Sequence, residues 1–167
     1  MRIVLMILTF TLIIGCNLKQ NDPINEKLKY KDCNCLIDKL EPNDTLRIGS
    51  LFRGCFHYNI ELIRIYMHSD SLFADLISHD PIRDKKISLF RHLLSPSSVL
   101  AFGEFEREGR KLTNAGECTS TKSFIIKLNR DSLKFVDNSC DFNGYSRLKD
   151  SLFGKSIMKK FVTKIRD

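Results

Sequence analysis

The chemically versatile residues of this chain are its six cysteines, Cys16, Cys33, Cys35, Cys55, Cys118 and Cys140. A thiol can be acylated, paired, bound to a metal or used as a nucleophile, and spacing discriminates among these fates. Cys33-Asn34-Cys35 with Cys55 offers three thiolates. Structural zinc sites place about two to four residues between the first pair, so no metal is assigned here. Cys55 and His57 are two apart and would share one face of a strand, as a thiol and its base. Same-face neighbours point in parallel, however, and a nucleophile needs its base within hydrogen-bond reach. A disulfide cysteine beside an ordinary strand histidine is the expectation. Glu104 and Glu108 are four apart on a helical stretch and could act as an acid–base pair. A solvated charged face explains them more simply. His57, His68 and His79 recur at equal intervals but fall in an expected strand, turn and loop, which share no geometry. The chain has no Gly-x-Ser-x-Gly elbow, His-Glu-x-x-His pair or glycine-rich phosphate loop. No catalytic residue and no cofactor is assigned.

Cys16 stands apart because of what precedes it. Arg2 is followed by an apolar run from Ile3 to Ile14, then by Gly15-Cys16. As a helix this run spans about 18 Å, short of a bilayer core of about 30 Å. A basic start, a short apolar run and a small residue before the cut form the layout of an export signal. Residues Ile13-Ile14-Gly15-Cys16 resemble the lipobox of bacterial lipoproteins. That resemblance implies removal of residues 1–15 and acylation of Cys16 by a thioether-linked diacylglycerol and an N-acyl chain. Two chains already anchor a protein stably, so three hold it firmly. Asn17, where a proteobacterial lipoprotein retained in the inner membrane carries Asp, implies the outer membrane, with the periplasmic or surface face left open.

Composition narrows the partners. The full chain carries +7, and +6 remains once Arg2 is removed with the signal. Most of that excess lies at the C-terminus, where Lys155, Lys159, Lys160, Lys164 and Arg166 are opposed by one acid. An exported chain without a nucleic-acid module makes nucleic acid a poor partner. Anionic lipid or an acidic envelope protein uses the charge better. Outside the cytoplasm the five thiols beyond Cys16 tend to pair, and an odd number leaves one over.

The elements that position these residues read as follows. Residues 16–32 are polar, with Pro23, and form a tether. Residues 33–167 form one domain. Leu36, Ile37 and Leu40 make one short helical turn before Glu41-Pro42-Asn43-Asp44. Alternation marks a strand from Leu46 to Arg53 and a second from Phe56 to Met67. The second shifts phase at Leu62-Ile63, which suggests a bulge or burial on both faces. His68 to Ser71 turns the chain into a strand over Leu72–Ile77. Asp80-Pro81 starts a helix carrying Ile87, Phe90, Leu93 and Leu94. Ser95-Pro96 ends it, and Ser95 or Ser97 caps another helix whose face is Val99, Phe102, Phe105, Gly109 and Leu112. Phe124–Leu128 and Leu133–Val136 form a hairpin around Asn129 to Ser132. Tyr145, Leu148 and Leu152 lie on a helix that Gly154 stops or kinks, and Ile157, Phe161 and Ile165 stripe the last one. The fold class is α+β, an antiparallel sheet of about four to five strands with helices packed on one face.

The hairpin bears on the cysteines. If it turns between Arg130 and Asp131, Cys140 faces Thr121 and Cys118 lies just beyond, at the same open end. A Cys118–Cys140 bond would close a loop of about 23 residues, worth about 3 kcal/mol in the chain-entropy model. Cys33 or Cys35 with Cys55 is then the natural second bridge. The basic C-terminal helix could lie on an anionic membrane, or pack its stripe on the sheet and turn its lysines to water. The second arrangement is simpler.

Past Cys16, the order of features resembles that of small uncharacterised lipoproteins of Bacteroidota. These features are Gly54-Cys55 before a strand, a Cys118 loop, a hairpin, Cys140-Asp141-Phe142-Asn143-Gly144 and a helix. The expected function is a membrane-anchored, non-enzymatic envelope module, held to the bilayer by acylated Cys16, that binds an envelope protein. The alternatives are a small envelope hydrolase using His57 or the Glu104/Glu108 face, and an immunity-type inhibitor of a periplasmic toxin.

Overall fold

The computed structural model describes residues 35–55, 58–112 and 118–166. The expected export signal (residues 1–15), Cys16, the expected tether (residues 16–32), Cys33 and His57 lie outside the described residues. A 3-10 turn at Leu36–Lys39 opens the described chain. Four strands follow as a meander, β1 (Thr45–Arg53), β2 (Tyr58–His68), β3 (Ser71–Asp80) and β4 (Lys85–Leu93). Helix α1 (Pro96–Gly109) leads to β5 (Thr121–Leu128) and β6 (Asp131–Asp137), then to α2 (Gly144–Phe153) and α3 (Lys155–Arg166). The sheet is antiparallel with six strands in the order β4-β3-β2-β1-β5-β6, not four or five.

The extra strand is β4, expected from the sequence as a helix. Asp80 does act as a cap, its Oδ1 accepting the N–H groups of Ile82 and Arg83 at 3.0 and 3.2 Å. That cap closes only the turn between β3 and β4. Ile87 and Leu89 also satisfy a period of two, and the open edge of β3 offers their backbone a ladder. β1 and β2 pair from Thr45↔Tyr66 to Arg53↔Tyr58 without a break, so Leu62-Ile63 is not a bulge. The irregularity lies between β3 and β4 instead, where the Arg91 N–H donates 2.8 Å to the buried Asp75 carboxylate. The apparent phase shift in β2 arises because one face is fully buried (Ile63, Ile65) and the other half-buried (Leu62, Tyr66).

One parity of every strand supplies the core. Leu46, Ile48, Ile63, Ile65, Leu76, Phe124 and Ile126 are all fully buried. Against them α1 places Phe102 and Phe105, with Ser95 accepting the Ser98 N–H as its cap and Pro96 in the first turn. Five rings cluster beside β5 and β6, with the Phe105 centroid 5.6 Å from Phe124, 5.3 Å from Phe135, 5.9 Å from Phe142 and 5.8 Å from Tyr145. Gly109 sits where α1 crosses Phe135, and a Cβ there would penetrate that ring. The ring is held by its neighbours, so Gly109→Ala should destabilise the fold by about 1–3 kcal/mol despite its better helix propensity. Urea unfolding checks this, and a neutral result would mean that α1 shifts freely.

The opposite sheet face is only partly covered. Leu62, Tyr66 and Ile77 are half-buried there, while Ile60 and Ile125 are 39% and 37% exposed.

Candidate functional site

Helix α2 has Tyr145, Leu148, Lys149 and Leu152 at i, i+3, i+4 and i+7, so one lysine borders its apolar stripe. Lys149 reaches across to the sheet and places Nζ 2.7 Å from Oε2 of Glu61 on β2, with both side chains largely buried. Glu61 shares parity with Ile63 and Ile65 and so points into the helical side. Asn59 donates to its other oxygen at 3.3 Å, and the Ser78 hydroxyl donates to Asn59 at 3.1 Å. Lys149 Nζ also lies 4.9 Å from the Tyr145 ring centroid, a cation–π contact.

The Tyr145 hydroxyl is buried, with Glu61 and Ser50 as its polar neighbours. Burial, and then the Glu61 charge, push its pKa well above the ordinary tyrosine value. The folded protein therefore holds this proton more tightly than the unfolded chain. Its contribution to stability is complete below about pH 10 and is lost as pH rises from there through the folded pKa. Phenylalanine has no proton to hold, so Tyr145→Phe should flatten the alkaline fall in stability. Denaturant midpoints across pH 7–11 read this, and an equally steep alkaline fall in the variant would show that another group causes it.

At the end of α2, Gly154 adopts φ 82°, a conformation suited to glycine, and turns the chain into α3. Between the two helices runs an open groove of about 810 Å³. Lys149, Lys155 and Lys159 line it with the hydroxyls of Ser146 and Ser156 and one carboxylate, Asp150. Lys155 begins α3, so the positive end of that helix adds to the lysine charge. Ammonium groups on flexible stems beside hydroxyls suit an anionic group.

The expected basic surface is therefore present in part as a groove. Lys155, Lys159 and Lys160 are exposed. Lys164 and Arg166 belong to α3, with side chains outside the described residues. The apolar stripe is turned from the expected one, because Met158 and Phe161 are buried at 4% and 3% exposure while Ile157 is 39% exposed. The break at Gly154 restarts the helix at a new angle, which resets the inward positions.

Cys118 and Cys140 are disulfide-bonded, with Cα atoms 5.7 Å apart. The expected bridge from Cys35 to Cys55 is not formed. Cys35 is buried, its Sγ 3.9 Å from the Gly103 carbonyl, and is bonded to a cysteine outside the described residues. Cys55 is a free thiol, carried into solvent by the connection after β1. Glu104 is exposed, whereas Glu108 is held by Arg147 at 2.7 Å, so the two carboxylates do not act on a common point. His68 ends β2 and His79 lies within β3 rather than in a loop. Among the described residues no group of three or more His, Cys, Asp or Glu side chains could hold a metal ion, and no helix is long and apolar enough to cross a membrane.

Sequence reasoning missed the Glu61–Lys149 pair. Its signal was an acid at an inward strand position and a base on an apolar helix stripe, each visible alone. Comparison with models of protein families, with curated proteins and with solved structures finds no match for this chain.

Proposed function

We propose that this chain is a lipid-anchored envelope protein, acylated at Cys16 and tethered through residues 16–32, that binds an acidic surface of another envelope protein. The observation that carries the binding step is the α2–α3 groove lined by Lys149, Lys155 and Lys159 with serine hydroxyls. The exposed ammonium groups of Lys155 and Lys159 against Asp150 favour an anionic partner, the Lys149 charge being taken up by Glu61. Burial of Met158 and Phe161 favours a protein over the bilayer, because a helix lying on a membrane needs its apolar side outward. The reading takes the helices as packed on one face of the sheet, which leaves the groove on the outer side of that layer. Contacts of Phe105, Tyr145 and Lys149 with β2, β5 and β6 support this. The anchor rests on the resemblance of residues 13–16 to a lipobox. It would place the groove in the envelope, on the outer membrane.

The test uses tagged full-length protein in its own host, labelled with a clickable palmitate analogue and captured in mild detergent. Wild type should carry label that Cys16→Ala abolishes. It should recover a stoichiometric protein that Lys155→Glu/Lys159→Glu reduces at least tenfold. Equal recovery by the charge-reversed variant would overturn the groove, and an unlabelled wild type would overturn the anchor.

A further inference from the structure

We propose that the sheet face carrying Leu62, Ile77 and Ile125 is a docking surface for an acidic amphipathic helix of another protein. This is independent of the groove.

Register sets out the face in rows, because cross-strand partners share a face. Arg64, Arg47 and Lys127 stand side by side on β2, β1 and β5. The next row runs Ile77, Leu62, Gly49, Ile125 and Lys134 from β3 to β6. The third has Ile60 and Leu51 at its middle and Lys86 at its β4 end. Arg53 closes the far end of β1. An aliphatic centre is thus ringed by basic residues.

The charge has one sign. Among the strand residues of this face the single acid is Asp75. It is buried and fully engaged, pairing with Arg64 and accepting the Tyr66 hydroxyl at 3.1 Å and the Arg91 N–H at 2.8 Å. Arg47, Lys86, Lys127 and Lys134 are exposed and have no ion pair among the described residues. Like charges directly opposite one another, as Arg47 and Lys127 are, destabilise a sheet. Carboxylates from a partner would relieve that cost.

Gly49 is the second observation. It lies mid-strand between two unbroken ladders, so no bulge requires it. A Cβ there would meet only the Ile125 carbonyl, at 3.9 Å, so no clash requires it either. Glycine inside a strand weakens the sheet and suits a place where another backbone comes close. Here it lowers the centre of the face. Leu62 and Ile125 flank it two strand spacings apart, about 10 Å. That is about the 10 Å width of an α-helix. A helix lying over β1 would set its apolar stripe on Leu62, Ile125 and Leu51, and acids on its flanks would meet Arg47, Lys127 and Lys134.

Other occupants match less well. A second copy would bring the same positive charge. Residues 17–34 of this chain carry four lysines against three acids. A flat bilayer would meet the long basic side chains before the short aliphatic centre, which a helix reaches. A nucleic-acid strand needs open aromatic rings to stack on, and Tyr66 and Phe73 are stacked on each other at 6.3 Å.

The test uses full-length protein in mild non-ionic detergent and a synthetic helical peptide with leucines at i, i+3, i+4 and i+7 and glutamates on its flanks. Fluorescence anisotropy reads binding, and carbodiimide, which joins a carboxylate to an amine, reads its place. The peptide should bind and cross-link to Lys127 and Lys134 rather than to Lys155 and Lys159. Arg47→Glu/Lys127→Glu should weaken binding about tenfold or more, while Lys155→Glu/Lys159→Glu leaves it unchanged. Gly49→Leu should weaken it as much while the urea midpoint holds or rises, a split that a merely structural role would not give. Equal binding of a scrambled peptide of the same composition would overturn the proposal. So would undiminished binding to the charge-reversed or Gly49→Leu protein, or cross-links confined to Lys155 and Lys159. Tighter binding of oligothymidylate, or of micelles doped with phosphatidylglycerol, that Arg47→Glu/Lys127→Glu abolishes would overturn it in favour of nucleic acid or lipid.

Discussion

Replacing Lys149 by Ala should cost the fold about 3–5 kcal/mol, one of the two largest losses expected of a single substitution here. The size follows from what is left behind. Glu61 is 7% exposed and, when its ammonium partner 2.7 Å away is removed, keeps the Asn59 amide at 3.3 Å and the neighbouring Tyr145 hydroxyl but no counter-charge. A buried carboxylate without its counter-charge bears its desolvation cost uncompensated. The pair as a whole is another matter. Replacing both partners by apolar residues of similar volume is often neutral or stabilising, so Glu61→Leu/Lys149→Met should recover stability to within about 1 kcal/mol of wild type. Urea denaturation of the single and double variants at pH 7 completes the cycle. If the double variant stays as unstable as Lys149→Ala, the loss is one of packing and the charge account fails. The folded double variant has a second use. Lys149 also lines the α2–α3 groove but its ammonium is bound to Glu61, so partner capture should persist in the double variant if Lys155 and Lys159 carry it.

How far this site could be read in advance differs from residue to residue. The β5–β6 hairpin was legible because Phe124, Ile126 and Leu128 alternate cleanly and Asn129 tolerates φ 52° in the turn. Its turn is centred one residue earlier than expected, which shifts the pairing by two residues. Leu128 pairs with Asp131 across Asn129-Arg130, so the ladder projects Cys140 against Thr119, one residue from Cys118. The disulfide expectation survived the slip because both cysteines stay at the open end in either register. β4 was not legible, since Ile87, Phe90, Leu93 and Leu94 fit a helical period while Ile87 and Leu89 also fit a strand. The deciding partner, the free edge of β3, is a tertiary fact. Free Cys55 was likewise beyond counting. An odd number of thiols says that one is left over but not which, and the fold leaves it at Cys55, in the exposed connection after β1. Strand pattern marks Glu61 as inward and helix pattern marks Lys149 as facing the core. That the two meet depends on how α2 lies over the sheet, which no local period encodes.

That placement of α2 depends on the ring cluster, where the second large effect is expected. Phe124→Ala should destabilise the protein by about 3–5 kcal/mol. Phe124 is fully buried at the crossing of sheet and helices. Its centroid is 5.6 Å from Phe105 on α1, 5.1 Å from Phe135 on β6, 5.7 Å from Phe142 and 5.2 Å from Tyr145 on α2. Removing it takes away both the transfer energy of the ring and four aromatic contacts, and leaves a cavity bounded by rigid rings that collapse poorly. Phe124→Leu keeps most of the volume and should lose distinctly less, which separates cavity formation from loss of aromatic character. The expected consequence reaches the groove, because Tyr145 seats the first turn of α2 and α2 carries Lys149. Denaturant unfolding should show the loss without a change in slope, and capture of a protein partner by Phe124→Ala below its unfolding midpoint should fall. Wild-type stability in Phe124→Ala would mean that α2 is held by its other ties, the Lys149–Glu61 pair and buried Leu148 and Leu152 among them, and the ring cluster would then have no part in positioning the groove.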